Sequence, residues 1–255
     1  MTHSQYKCQT QGTESYVDNQ FVIFSQSYLL ESCRLLYMNT KNKNMFPNNI
    51  KGRPNVLELG CYNGRLMHFL TQQWAFVNYT GVDVRSDYLE TSIVAGRKDV
   101  NFLCEDVTKG LSVPDDSQDM ILSSEVMEHI NKADLKSVMQ TLSNKLRVGG
   151  KMVIAFPMNT KEKKFHDLDK EKNLGHVNFP EYDDYVQLAL SVGLDLERFD
   201  SGFSLKSSYR IPKDIKNSKE YKTIRRMLGT QVARCYAMTV DPDHTGGGYF
   251  NFIKM

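Results

Sequence analysis

The chain has 255 residues, of which 40% are hydrophobic and 24% charged, with a formal net charge of +2. That is too apolar for a disordered polymer and long enough for one elaborated α/β domain. A mean hydropathy of -0.46, with no long apolar run, excludes a membrane-spanning helix.

The opening MTHSQYKCQT lacks the apolar stretch of a secretory signal, so the expected address is cytoplasmic. Five cysteines (Cys8, Cys33, Cys61, Cys104, Cys235) are odd in number and form no C-x-x-C pair. They read as free thiols rather than as a disulfide framework or a zinc knuckle.

In chain order, residues 1–54 read as an N-terminal arm with one helix, Phe21 to Tyr37, expected to cover a pocket, and then an Asn/Lys-rich linker. Strands are expected over Asn55–Leu59, Tyr79–Val84, Val100–Cys104, Asp119–Ser123 and Lys151–Phe156. Helices are expected over Arg65–Gln73, Asp87–Ala95 and Lys132–Leu146, the last closed by Gly149 and Gly150. Pro180 to Val192 reads as a helix whose first turn is acidic, and Leu194 to Phe199 as a sixth strand. The alternating apolar YFNFIKM, residues 249–255, is expected to pair with it as an antiparallel hairpin. The organisation is therefore a core over 55–200, a basic insertion or lid over 201–248, and a last core strand at 249–255. Strands alternating with helices imply βαβ units and a mostly parallel, Rossmann-like sheet of seven strands with helices on both faces.

The informative stretch is Val56-Leu57-Glu58-Leu59-Gly60-Cys61-Tyr62-Asn63-Gly64. A buried strand that ends in acid-x-Gly and passes through a second glycine into a helix suits a first βα turn with a ligand across it. Asp83 closes the second strand 23 residues after Gly60, where an acid accepts hydrogen bonds from both hydroxyls of a ribose. Asp106 follows the third strand, within reach of an adenine amino group. Three acids at three successive strand ends share one edge of one sheet. A dinucleotide reductase would show G-x-G-x-x-G, and a nucleotide hydrolase a lysine-bearing phosphate loop; neither is present.

On these residues the chain resembles the class I S-adenosylmethionine (SAM) dependent methyltransferases, from about Asn55 to Phe199 and again at YFNFIKM. The resemblance implies that Glu58, Gly60 and Gly64 line the methionine part of SAM, that Asp83 holds the ribose and that Asp106 holds the adenine amino group. Cys61, Tyr62, Val84, Val107 and Ser124 are counted with them as cofactor-binding residues. Tyr62 stands where the family often has its middle glycine, and its bulk is expected over the methionine end.

Chemistry is expected from Ser124-Glu125-Val126-Met127-Glu128-His129. If Glu125 opens a helix, Glu128 and His129 lie three and four positions on, on one face. Such a group serves as a general base or holds a divalent cation. The block resembles that of the ubiquinone-biosynthesis O-methyltransferases and the small-RNA 3′-end 2′-O-methyltransferases, where E-x-x-E-H with a later histidine accompanies a divalent metal. The matching ligand set here is Glu125, Glu128, His129 and His176, with His166 as the other candidate for the fourth. His129 acting alone as base, and a helix-capping role for the two glutamates, stand beside it. His68 reads as a packed helix residue, His244 as part of a flexible loop, Trp74 as packing, and Cys61 and Cys104 as buried small hydrophobes.

From Lys206 to Arg226 eight bases stand against two acids, with Tyr209 and Tyr221 among them. Cations with aromatics are one footprint of nucleic-acid binding, and a solvated helix face is the plainer reading. The expected activity is methyl transfer from SAM to an oxygen or nitrogen of a small-molecule or nucleotide-like acceptor. The alternatives are a metal-assisted RNA ribose 2′-O-methyltransferase and a SAM-binding partner subunit without turnover.

Overall fold

The computed structural model describes residues 52–64, 66–68, 77–90, 92, 94, 96–157, 176–178, 181–201, 211–239 and 247–255. The expected helix over Phe21–Tyr37 and the side chains of Trp74, His166, Tyr209 and His244 lie outside them.

Seven strands form one sheet: β1 (Asn55–Leu59), β2 (Asn78–Asp83), β3 (Val100–Cys104), β4 (Gln118–Ser124), β5 (Leu146–Pro157), β6 (Leu194–Ser201) and β7 (Gly247–Lys254). Their order is β3-β2-β1-β4-β5-β7-β6. The pairs β1–β2, β1–β4, β2–β3 and β4–β5 are parallel, whereas β7 runs antiparallel to both β5 and β6. The expected hairpin of β6 and β7 is present, and β7 is also inserted between β5 and β6. Strand order reverses between β1 and β4, so the crevice of this sheet opens at their carboxyl ends.

Period-two alternation sorts the apolar side chains to two faces. Leu57, Leu59, Val82, Ile121, Met152, Ile154, Phe156, Phe250 and Phe252 share one core cluster, and Val56, Tyr79, Met120, Leu122, Val153 and Ala155 share the other. The short helix α1 (Ser86–Glu90) follows β2. The first face is covered by α2 (Leu135–Lys145) and α3 (Tyr182–Leu190). Helix α2 buries Leu135, Val138, Met139 and Leu142, an i, i+3, i+4, i+7 stripe. Each such burial contributes roughly 1.5–3 kcal/mol. Ser143 on α2 donates from Oγ to Val192 O at 2.8 Å and ties α2 to the turn after α3.

β5 begins five residues earlier than the apolar run suggests. Leu146 already pairs with Gln118, while the next pair is Lys151 with Met120, so the residues between arch out of the ladder. Gly149 takes φ 77° in that arch, and Arg147 reaches back to pair with buried Asp119 at 2.8 Å. The glycines that read as a helix stop therefore shape a strand irregularity.

Helix α4 (Lys213–Asn217) and helix α5 (Lys219–Thr239) lie in sequence between β6 and β7. Because Ser201 pairs with Gly248 and Pro157 with Gly247, this excursion leaves from and returns to the carboxyl edge of the sheet.

Candidate functional site

The turn after β1 is drawn over β2. Gly60 N and Cys61 N both donate to Val82 O, at 2.8 and 3.1 Å. Gly60 has φ 71°, and a Cβ on it would collide with Val126 Cγ2. The first turn and the segment after β4 therefore touch across the crevice, and no other residue fits at position 60. Gly64, at φ 82°, faces Val94 and Phe102, so both glycines are required by neighbouring protein atoms. Gly60→Ala combines left-handed strain of about 1–2 kcal/mol with overpacking of about 1–3 kcal/mol. Gly96 has φ 82° but open space at its Cβ and would suffer the strain alone. Thermal melts should show Gly60→Ala losing roughly 6–12 °C and Gly96→Ala less than half of that; equal losses would remove the steric argument.

Asp83 is the hub of the edge. Its Oδ2 accepts from Tyr62 N at 2.9 Å and its Oδ1 from Arg85 N at 3.0 Å. Burial pushes its carboxyl above the ordinary Asp range, and the N–H groups of Arg85 and Tyr62 work in the opposite direction. A carboxylate has about four lone-pair sites, so two backbone donors leave capacity for the two hydroxyls of a ribose. Tyr62 adopts φ 51°, the left-handed conformation that a glycine would take there. Its ring lies 4.2 Å from that of Tyr88 on α1, and the Arg85 guanidinium stands 4.2 Å above the other partner's ring, Tyr88. Arg85 also pairs with Asp87. The Tyr62 ring thus packs on Tyr88 while its backbone N–H is held by Asp83.

Glu58 is 4% exposed and accepts from Tyr79 Oη at 3.1 Å. It is the penultimate residue of β1, just before the turn. Cys61 is buried against Gly81, and burial, then Glu58 and Asp83, push its thiol far up. Cys104, expected to be buried, is exposed, with Sγ 3.6 Å from Val84 O. Among the described residues it ends an edge strand, which has a neighbour on one side only.

Asp106 caps the 3-10 turn Val107–Lys109. Its Oδ1 accepts from Thr108 N at 3.0 Å and Thr108 Oγ1 at 2.6 Å. Oδ2 pairs with exposed Lys109 at 3.0 Å. Burial raises the carboxyl, but the Thr108 and Lys109 contacts outweigh it and leave the group below the ordinary range. Val107 is buried in the core beneath. The Lys109 side chain that pairs with Oδ2 is itself mostly exposed.

After β4 the chain departs from the expected helix. Ser124 pairs with Ala155, and Glu125 N donates to Ala155 O at 2.8 Å while its φ turns to 57°. The helical turn that follows is a 3-10 turn over Met127–His129, with Val126 preceding it in a non-helical conformation. The left-handed step keeps Glu125 exposed and outside the cluster that forms next. Glu128 is fully buried. Its carbonyl oxygen accepts from Val177 N at 2.9 Å and Asn178 N at 3.1 Å, which brings His176 in beside it. His176 Nε2 stands 4.0 Å from Glu128 Oε1, and the His129 and His176 rings meet edge-on at 4.9 Å. One donor atom from each of Glu128, His129 and His176 lies within 4.8 Å of the others. Tyr185 of α3 backs the group: burial, then Glu128, push its hydroxyl far up.

Two polar residues escaped the sequence reading. Asn63 Oδ1, in the first turn, and Asn178 Nδ2, beside Glu128, are buried without a hydrogen-bond partner among the described residues. Asn63 lay inside the quoted motif. Asn178 carried no signal, because its neighbour 50 residues away is chosen by the fold. Asn63 offers an acceptor and the ammonium of SAM is a donor, so donor chemistry, the open lone pairs of Asp83 and the rim of acids all fit that cofactor.

Comparison with known proteins agrees on the class. The family model for a methyltransferase domain matches residues 33–198. A curated relative, the malonyl-[acyl-carrier protein] O-methyltransferase of Paenibacillus sp. (strain JDR-2), is 28% identical over an alignment of 127 residues that covers 46% of this chain and 45% of the relative. The match thus spans less than half the length of that relative. Among solved structures, a SAM-dependent methyltransferase from Archaeoglobus fulgidus superposes with a TM-score of 0.61 at 16% identity, covering 92% of this chain and 99% of that one. A chain of the complex between the Haloferax volcanii Trm112 methyltransferase activator and a methyltransferase superposes with a TM-score of 0.59 at 17% identity, covering 87% and 93%. With a domain model spanning well over half of its residues, the chain belongs to the methyltransferase-domain family and has the class I, Rossmann-like fold of the SAM-dependent methyltransferases.

Proposed function

We propose that this chain transfers the methyl group of SAM to an oxygen or nitrogen of a small-molecule or nucleotide-like acceptor, with His129 taking the acceptor's proton. The sulfonium carries its own activation: the acceptor lone pair forms the new bond to carbon as the carbon–sulfur pair returns to sulfur. The protein is left to align the two and to remove one proton. The observation that carries this reading is the Glu128–His129–His176 group at the end of β4, beside the edge where Asp83 and the first turn stand. A buried carboxylate near two imidazoles favours the imidazolium that forms. The curated relative is named an O-methyltransferase, which supports oxygen as the accepting atom.

The same three side chains favour a second reading. One carboxylate oxygen and two imidazole nitrogens form a donor set that suits borderline divalent ions. Glu128, His129 and His176 would hold such an ion, and Glu125 would not. The ion would supply Lewis-acid polarisation of the acceptor oxygen.

Calorimetric titration with SAM and with S-adenosylhomocysteine, followed by an acceptor screen with labelled SAM in the presence and absence of chelator, tests both readings. Micromolar binding of both nucleosides and methyl transfer to a hydroxyl or amine acceptor are expected. No heat with either nucleoside would sink the proposal. Turnover that is indifferent to chelator would remove the metal. Tight binding without turnover on any acceptor class would point to a catalytically silent partner subunit, a reading that the neighbouring activator complex keeps in view.

A further inference from the structure

α4 and α5 form a small unit with its own core. Tyr221, Ala233 and Ala237 are buried together, and Ile211, Ile215, Ile224 and Tyr236 pack against them. In one straight helix Tyr221 and Ala233 would stand about 18 Å apart, at a rise of about 1.5 Å per residue. They share a core because Gly229, at φ 87° and ψ 172°, breaks α5 and folds its second half back on the first. The result is a helical hairpin with Met227, Leu228 and Gly229 at its tip.

The surface of that hairpin has two features. At the tip, Met227 is 74% and Leu228 62% exposed. Behind it, Lys213, Lys216, Lys219, Lys222, Arg225 and Arg226 are all exposed, against exposed Asp214 and Glu220. An apolar tip collared by a net positive belt is complementary to a negatively charged sheet that has an apolar interior below it. It is poorly suited to single-stranded nucleic acid, which needs aromatic faces for the bases. Tyr221, the described aromatic among these cations, is 3% exposed and spent in the hairpin core.

We propose that this hairpin docks the protein on the surface of an anionic lipid bilayer, with Met227 and Leu228 entering the headgroup boundary and the Lys/Arg belt lying against lipid phosphates. The contact is peripheral: no helix of the described residues is long and apolar enough to cross a membrane. In sequence the hairpin lies between Ser201 and Gly247, both at the carboxyl edge of the sheet. The inference rests on the hairpin alone and stands whether or not the proposed chemistry is right.

The test is sedimentation of the full chain with vesicles of phosphatidylcholine alone and of phosphatidylcholine with one third phosphatidylserine. Binding is expected on the anionic vesicles only, and it should weaken as salt is raised. Charge removal at Arg225 or Arg226 should weaken it roughly fivefold per cation. The double variant Met227→Ser, Leu228→Ser should weaken it tenfold or more, while circular dichroism and SAM affinity stay at parent values because both side chains already face water. Absence of binding to anionic vesicles would overturn the proposal, as would equal binding by the Ser/Ser variant. Salt-sensitive binding to an RNA oligonucleotide, lost on Arg225→Glu with Arg226→Glu while vesicles are ignored, would overturn it in favour of a nucleic-acid surface.

Discussion

Asp83→Ala is expected to weaken SAM binding at least a hundredfold. The carboxylate is proposed to accept both ribose hydroxyls, and hydrogen bonds to a charged acceptor are worth roughly 1.5–3 kcal/mol each. It also fixes the first turn through Tyr62 N, so its loss frees a residue held at φ 51° that is proposed to lie beside the cofactor. Asp83→Asn keeps one acceptor oxygen and sets an NH2 against the other of its two backbone donors, Tyr62 N and Arg85 N. It should lose about tenfold or more in affinity, less than Asp83→Ala loses, and also lower the melting temperature. The pH dependence follows from burial, which raises this carboxyl above its ordinary value. The ionised form accepts from the ribose and the protonated form is the one favoured by burial. Affinity should therefore be flat near neutrality and fall on acidification, beginning at a higher pH than a solvent-exposed Asp near 3.9 would give. For stability the sign is opposite: ionising Asp83 costs the folded state, so its contribution declines as pH rises from the unfolded value through the raised one. Calorimetry of the parent and both variants from pH 4.5 to pH 8 measures all of this. Parent-like affinity in Asp83→Ala would remove SAM from this edge.

His129→Ala should reduce kcat by about 10² to 10⁴, the usual share of a positioned base, with SAM affinity unchanged. Glu128→Gln keeps the shape of a fully buried side chain and removes its charge. Without the carboxylate 4.0 Å from His176, an imidazolium in this group loses its opposite charge. The acid limb of the kcat profile should move to lower pH, with kcat itself down about ten- to a hundredfold. A purely structural role for Glu128 would shift the melting temperature and leave that limb in place. Unchanged kcat in His129→Ala, measured on whichever acceptor the screen finds, would exclude His129 as base.

Much of the frame was legible in advance. Seven apolar runs alternating with helical segments named the seven strands, because buried strands need consecutive or alternating apolar residues and little else. The three acids and the first turn were legible because a strand end followed by an acid is a local pattern. Glu125 was misjudged for a specific reason: helical spacing assumed one helix through the block, while Glu125 N is taken by Ala155 O on the neighbouring strand, which bends the chain the other way. Cys104 was misjudged because apolar flanks cannot distinguish an edge strand from a central one, and β3 is an edge among the described strands.

By itself the amino-acid sequence determined the class of fold, the strand ends that carry Glu58, Asp83 and Asp106, and the basic character of the late insertion, since each depends on residues close together in the chain. Only tertiary structure decided that β7 enters between β5 and β6, that His176 meets Glu128 across 48 residues, and that Gly60 must be bare because Val126 occupies its Cβ space. It likewise decided that Tyr221 is buried while Met227 and Leu228 face out. The physical reason is common to all four: close packing is settled between segments distant in sequence, and propensity along the chain carries no record of which partner arrives.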